Sequence, residues 1–162
     1  DGKYIFSDVG YNFLPSEISA AFALVQLTKL PKNISKRVHN FENLKNFFSN
    51  YPYLFDLPKQ QKKLITPWLA YPVLIKKKSN INRQKLQIFL EKNGIQTRTI
   101  FTGNILRQPG FQNIDCIGSA DNYLNADNAM RGGILLAVHH GLTADMQQHF
   151  FDSSAKFLDA YC

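Results

Sequence analysis

The sequence is short of sulfur. Its 162 residues include two cysteines, Cys116 and Cys162, and two methionines, Met130 and Met146. Two cysteines cannot frame a small secreted fold, and they read as free thiols of an intracellular protein. No cysteine and histidine spacing suggests zinc. No apolar run approaches the ~20 residues that cross a bilayer, which excludes a spanning helix. The opening stretch DGKYIFSDVG has neither the basic start nor the apolar core of a secretory signal. A cytoplasmic location with no membrane partner is therefore expected. No initiator methionine stands at the start, so the chain reads as part of a longer product or as one that has lost residues. Also missing are GxGxxG, the P-loop and the nucleophile elbow. No lysine has the apolar sequence surroundings that would depress its pKa for Schiff-base chemistry.

What is present reads as one globular domain. Hydrophobic residues make up 44% and charged residues 19%, enough for a core and too apolar for disorder. Charge is unevenly spread. Residues 1–109 hold 17 Lys/Arg against 6 Asp/Glu, a net +11, and residues 110–162 hold 2 against 6, a net −4. A basic body suggests an anionic partner, whether nucleic acid, membrane surface or a phosphorylated small molecule. Lys76, Lys77 and Lys78 read as a solvated face. A nucleic-acid module is disfavoured, because no aromatic RNA-binding strand and no helix with one basic face is found.

Periodicity predicts the elements. Residues 15–30, PSEISAAFALVQLTKL, read as a helix with Pro15 and Ser16 at its start and Glu17 at the positive dipole end. Its stripes run through Ala20, Ala21, Leu24 and Leu27 and through Ile18, Phe22 and Val25. A helix so apolar is expected to be buried or covered by a partner chain. Pro31 is expected to end or kink it. A second helix then runs to about residue 49. Residues 68–76 read as a strand, with Pro72 at an edge or bulge. Ser79 or Asn80 caps a helix that Gly94 closes. Residues 95–101 and 134–138 read as strands, and Ala126 to Met130 as a helical turn. Thr143 caps a last helix with Met146, Phe150, Phe157 and Leu158 inward. The fold class is α+β: a small three-stranded, mostly antiparallel sheet packed with helices. Residues 1–50 form an N-terminal helical segment and residues 51–162 the α+β domain.

Three places bear chemistry. Gly10-Tyr11-Asn12 precedes the apolar helix, where Asn12 can donate and accept near a helix N-terminus; a plain turn and cap is the competing reading. Arg98, Asn104, Arg107 and Gln108 cluster in GIQTRTIFTGNILRQPGF, residues 94–111. Arginine's fork suits phosphate and carboxylate, and amides suit sugar hydroxyls, with surface solubility and a structural salt bridge as the alternative. His139 and His140 end a strand, where neighbours point to opposite faces, so they read as structural rather than metal ligands.

Three stretches carry a resemblance. KYIFSDVGYNFLPSEISAAFALVQLTKL resembles the GYN segment of the DegT/DnrJ/EryC1/StrS sugar-nucleotide aminotransferase family. GIQTRTIFTGNILRQPGF resembles a later GI-x-TR and RQP-x-F loop, in the form of the CDP-4-keto-6-deoxyglucose 3-dehydratase branch. NADNAMRGGILLAVHHGLTADMQ resembles the family's closing strand and turn. The three occur in family order and cover nearly the whole chain.

The resemblance implies the C-terminal small domain of a fold type I pyridoxal-phosphate (PLP) enzyme, with the large cofactor-binding domain absent. The family's cofactor lysine, a histidine in the dehydratase branch, lies upstream of the GYN segment. No cofactor is therefore expected on this chain alone, while the full-length family uses PLP or its pyridoxamine form, PMP. Catalytic residues and metal ligands are expected to be none. Asn12, flanked by Tyr11, matches the asparagine that reaches the cofactor phosphate of a neighbouring subunit. Leu14 stands where the family often has a basic residue. Arg98, Phe101, Asn104, Arg107 and Gln108 match the loop that lines the substrate side. A nucleotide-sugar ligand is implied, with a homodimer or the missing large domain as partner. The alternative is a free-standing, non-catalytic dimerisation or partner-binding protein.

Overall fold

The computed structural model describes residues 8–11 and 13–161. The chain divides into two units, Asp1–Lys32 and Asn33–Cys162. Helix α1 runs Glu17–Ser49. Ser16 caps it: its hydroxyl accepts the Ser19 N–H at 3.2 Å. Pro31, expected to end or kink a helix, lies inside this one without ending it. Proline removes one helical donor and crowds one turn, a local cost of ~3 kcal/mol that a 33-residue helix can absorb.

In the first unit the apolar stripes of α1 are exposed. Ile18, Phe22, Leu24, Val25, Leu27 and Leu30 all lie open in this chain. Tyr11 and Phe13 are also open and stack on each other at 5.6 Å.

The second unit is a four-stranded antiparallel sheet with helices on one face. The strands are β1 (Phe55–Asp56), β2 (Ala70–Ile75), β3 (Arg98–Thr99) and β4 (Gly133–Ala137), in the spatial order β1-β2-β4-β3. The short β1 joins the three strands that the sequence predicts. Pro72 lies beyond the end of β1, which pairs only with Leu74 and Ile75. The missing proline N–H therefore leaves no ladder bond unmade there.

Alternation along β2 sets the layers. Tyr71, Val73 and Ile75 are buried, while Ala70, Pro72 and Leu74 are only half-buried. The buried face meets Phe41, Leu44 and Phe48 from α1 and Leu86 and Leu90 from α2 (Arg83–Lys92). Phe150 and Leu158 from α4 (Ala144–Leu158) complete this core. Rings join the layers: Phe41 lies 4.9 Å from both Trp68 and Tyr71, and Phe48 stacks on Tyr71 at 5.7 Å.

The caps refine the sequence reading. Asn82, not Ser79 or Asn80, caps α2, its Oδ1 accepting the Lys85 N–H at 3.0 Å. Ser79 ends the 3-10 turn before it, Lys77–Ser79, and Asn80 caps that turn, left-handed at φ 57°. Gly94 closes α2 as expected, at φ +75°. The Ile95 N–H reaches back to the Leu90 carbonyl, the six-to-one bond of a helix stop. Thr143 caps α4 by accepting the Met146 N–H at 3.2 Å. Met146 itself is exposed rather than inward. Helix α3, Leu124–Gly132, leads directly into β4.

Candidate functional site

Register places Arg98 on the open face of the sheet. Arg98 pairs with Leu135, and Leu135 pairs with Pro72. Directly opposed residues of an antiparallel ladder share a face, so Pro72, Leu135 and Arg98 form a row across three strands. That row is on the side away from the core, since Ile134 and Leu136 of β4 are buried beside Leu135. Arg98 is exposed and has no hydrogen-bond or salt-bridge partner among the described residues.

The loop after β3 is tightly built. The Phe101 N–H bonds the Thr99 carbonyl at 2.8 Å, and the Thr99 hydroxyl donates to the Phe101 carbonyl at 3.0 Å. Phe101 sits at φ 45°, a left-handed conformation that few bulky residues adopt, and its ring is 85% exposed. Gly103, at φ +65°, follows against α3; a Cβ there would lie 2.2 Å from Met130 Cβ. Only glycine fits both demands.

Asn104 is 2% exposed and fully engaged. Its amide donates to the Ala120 carbonyl at 2.9 Å and to Asp127 Oδ1 at 2.8 Å, while its Oδ1 accepts the Leu106 N–H at 3.2 Å. Arg107 turns into the same network. Its Nε donates to Asp127 Oδ1 at 2.6 Å, and its Nη2 donates to Asp127 Oδ2 and Asp121 Oδ1, both at 2.7 Å. Hydrogen bonds from Arg107 and then from Asn104 lower the Asp127 pKa to about 2. The same bonds, from Asp127 first and Asp121 second, push the Arg107 pKa up. Gln108 donates to the Thr102 carbonyl at 3.3 Å.

The five loop residues named from sequence thus lie on one edge-strand loop in two states. Arg98 and Phe101 face outward, whereas Asn104, Arg107 and Gln108 are occupied within the loop. Asp121 and Asp127, which complete the network, went unnamed, because nothing in the periodicity ties an acid to an arginine 20 residues away. Tyr11 lies exposed in the first unit, and Asn12 lies outside the described residues. His139 serves a turn, its Nδ1 accepting the Gly141 N–H at 3.2 Å. Among the described residues, no group of His, Cys, Asp or Glu could hold a metal ion. No described lysine is buried.

The antiparallel sheet with helices on one face is a fold shared with part of the fold type I PLP-dependent transferases. The chain belongs to the DegT/DnrJ/EryC1/StrS aminotransferase family, whose model it matches over residues 1–153. It is 32% identical over 157 residues to the lipopolysaccharide biosynthesis protein RfbH of Salmonella typhimurium, covering 97% of this chain and 36% of that protein. It is 34% identical over 158 residues to a dTDP-4-dehydro-2,6-dideoxy-D-glucose 3-dehydratase of Saccharopolyspora spinosa, covering 98% of this chain and 34% of that one. A solved structure of E. coli GDP-4-keto-6-deoxy-D-mannose-3-dehydratase with bound hydrated PLP matches with a TM-score of 0.77 and 30% identity, over 93% of this chain and 38% of that one. The chain therefore spans about a third of the length of the curated relatives it matches. Among the described residues, no helix is long and apolar enough to cross a membrane.

Proposed function

We propose that this chain is the substrate-side portion of a PLP- or PMP-dependent enzyme that dehydrates or aminates a nucleotide-linked 4-keto-6-deoxy sugar. The observation that carries this is Arg98: an unpaired guanidinium on the open sheet face, next to an apolar row and an exposed, strained aromatic. A guanidinium fork suits a diphosphate, and an apolar face with an aromatic suits a deoxysugar or base. The relatives' names fit, since one acts on a dTDP-linked and another on a GDP-linked 4-keto sugar. When bound, the cofactor supplies an electron sink for the sugar carbon skeleton. In this reading residues beyond these 162 would hold it, and Asn12, flanked by Tyr11, would contribute to binding its phosphate.

The test is kinetic. In the complete protein, Arg98→Ala removes charge-assisted hydrogen bonds worth about 1.5–3 kcal/mol, so KM for the nucleotide sugar rises about 10- to 150-fold. The cofactor's absorption spectrum stays the same. An unchanged KM overturns the assignment.

A second reading rests on the exposed apolar half of α1. Six large apolar side chains from Ile18 to Leu30 lie open within the first unit. A contiguous apolar surface of this kind is usually covered, which favours a dimerising or partner-binding role. Light scattering on the purified chain distinguishes the two: a stable dimer supports this role, and a monomer that aggregates points back to a missing domain.

A further inference from the structure

We infer that Asp127 is a positioning residue that pins Asn104 and Arg107, and that it thereby shapes residues 99–111 and leaves Arg98 as the loop's anion-binding arginine. This deepens the proposed function and rests on it only for the identity of the ligand.

Geometry separates the two arginines. A guanidinium carries five N–H donors in a rigid fork. In Arg107 the Nε and Nη2 edge is bidentate on Asp127, and Nη2 also meets Asp121. That side-on edge is one of the two that can clamp a phosphate, and two carboxylates already occupy it. An incoming anion at Arg107 would meet Asp121 and Asp127, so like charges oppose it. Among the described residues, Arg98 has no carboxylate on it.

Asp127 is well placed for this task. It sits in α3, the helix that continues into β4, and β4 pairs with β3. The loop is thus fixed at its start by the β3–β4 ladder and at its far end by Asp127. Its side chain is 18% exposed, so water competes weakly for the two oxygens. Gly103 lies against Met130 one turn along the same helix, a second and independent fixing point. A loop ordered before the ligand arrives spares the entropy of ordering it on binding.

Three readouts test this. In the wild-type chain, the Arg107 Nε–H resonance should exchange with water at least 10-fold more slowly than that of Arg98. Equal rates overturn the clamp, and no variant is needed. In Asp127→Asn, which keeps the shape but loses the charge, exchange of the Leu106, Arg107 and Gln108 amides should rise 10-fold or more. The β2 and β4 amides of Val73 and Leu136 should not change. Arg107→Lys, which loses the fork, should loosen the same three amides. If neither variant does so, the inference fails. In the complete protein, Asp127→Asn should raise KM for a GDP-linked 4-keto sugar with little change in kcat. Loosened amides with an unchanged KM would retain the clamp and refute the loop's role in the proposed function. A fall in affinity in Arg107→Ala with loop exchange unaltered would make Arg107 a direct contact and overturn the division of roles.

Discussion

Gln147 of α4 donates its amide to Asn40 Oδ1 of α1 at 3.0 Å, and Asn40 passes its own amide on to the end of β4. That amide meets the His139 carbonyl at 2.9 Å and the Val138 carbonyl at 3.4 Å. Asn43 closes the circuit by donating to Gln147 Oε1 at 2.8 Å. Asn40 is 4% exposed, so its groups cannot turn to water instead. Asn40→Ala leaves the buried Val138 carbonyl without its side-chain donor, at a cost of about 1–3 kcal/mol. Urea denaturation of the second unit should show a lower midpoint with an unchanged slope. Gln147→Ala should cost less, since its outer atoms reach solvent.

Tyr71 carries the opposite prediction. Its hydroxyl is buried and, among the described residues, has no hydrogen-bond partner; the same is true of the Ser154 hydroxyl. Burial first, and the nearby Glu42 charge second, raise the Tyr71 pKa, so the phenol stays neutral. A desolvated hydroxyl with no hydrogen bond is a net cost. Tyr71→Phe keeps the ring stacked on Phe48 and removes the cost. The variant should be as stable as the wild type or about 1 kcal/mol more so, as read from thermal unfolding. A loss of more than that would reveal a partner for the hydroxyl.

These two residues show where sequence was legible. Gly94 and Thr143 could be read as a stop and a cap because each acts on backbone within a few positions. The α+β class followed from apolar periodicity, since alternation in β2 and the stripes of α1 and α4 are local patterns. Helix α1 could not be read through Pro31, because the gain from the turns on either side outweighs one local penalty. Asn82 was hidden behind Ser79 and Asn80, three residues of similar capping power in four positions. In the loop, residue types alone marked Arg98 and Arg107 as equals. Only the fold brings Asp127 and Asp121 onto one of them.

Asp127 gives a pH prediction with a definite sign. Its folded pKa is about 2, below the ordinary carboxylate value of 3.8. A depressed carboxylate stabilises the fold fully above the unfolded value and loses that contribution as pH falls through the folded one. The clamp should therefore hold at pH 5 and weaken progressively between about 4 and about 2. The charged groups that face it are Arg107 and Arg131, together with Asp121 on the far side of Arg107. Carbon-detected NMR of the carboxylates should give Asp127 a midpoint near 2, rising toward the ordinary value in Arg107→Ala. A wild-type midpoint near 4 would contradict the two short contacts.

Phe101 should show stability and function pulling apart. Its backbone is left-handed at φ 45°, which costs an L-residue roughly 1–2 kcal/mol. Its ring is 85% exposed, so it gains little packing energy in return. Glycine adopts that conformation freely but loses more freedom on folding, which offsets part of the relief. Phe101→Gly should therefore gain about 1 kcal/mol, whereas Phe101→Ala, which keeps a Cβ, should gain nothing. Strain kept at an exposed aromatic is expected where the ring has a ligand to meet. In the complete protein, both substitutions should then raise KM for the nucleotide sugar to a similar extent. Greater stability in the glycine variant with no change in KM would leave the strain unexplained and remove Phe101 from the substrate face.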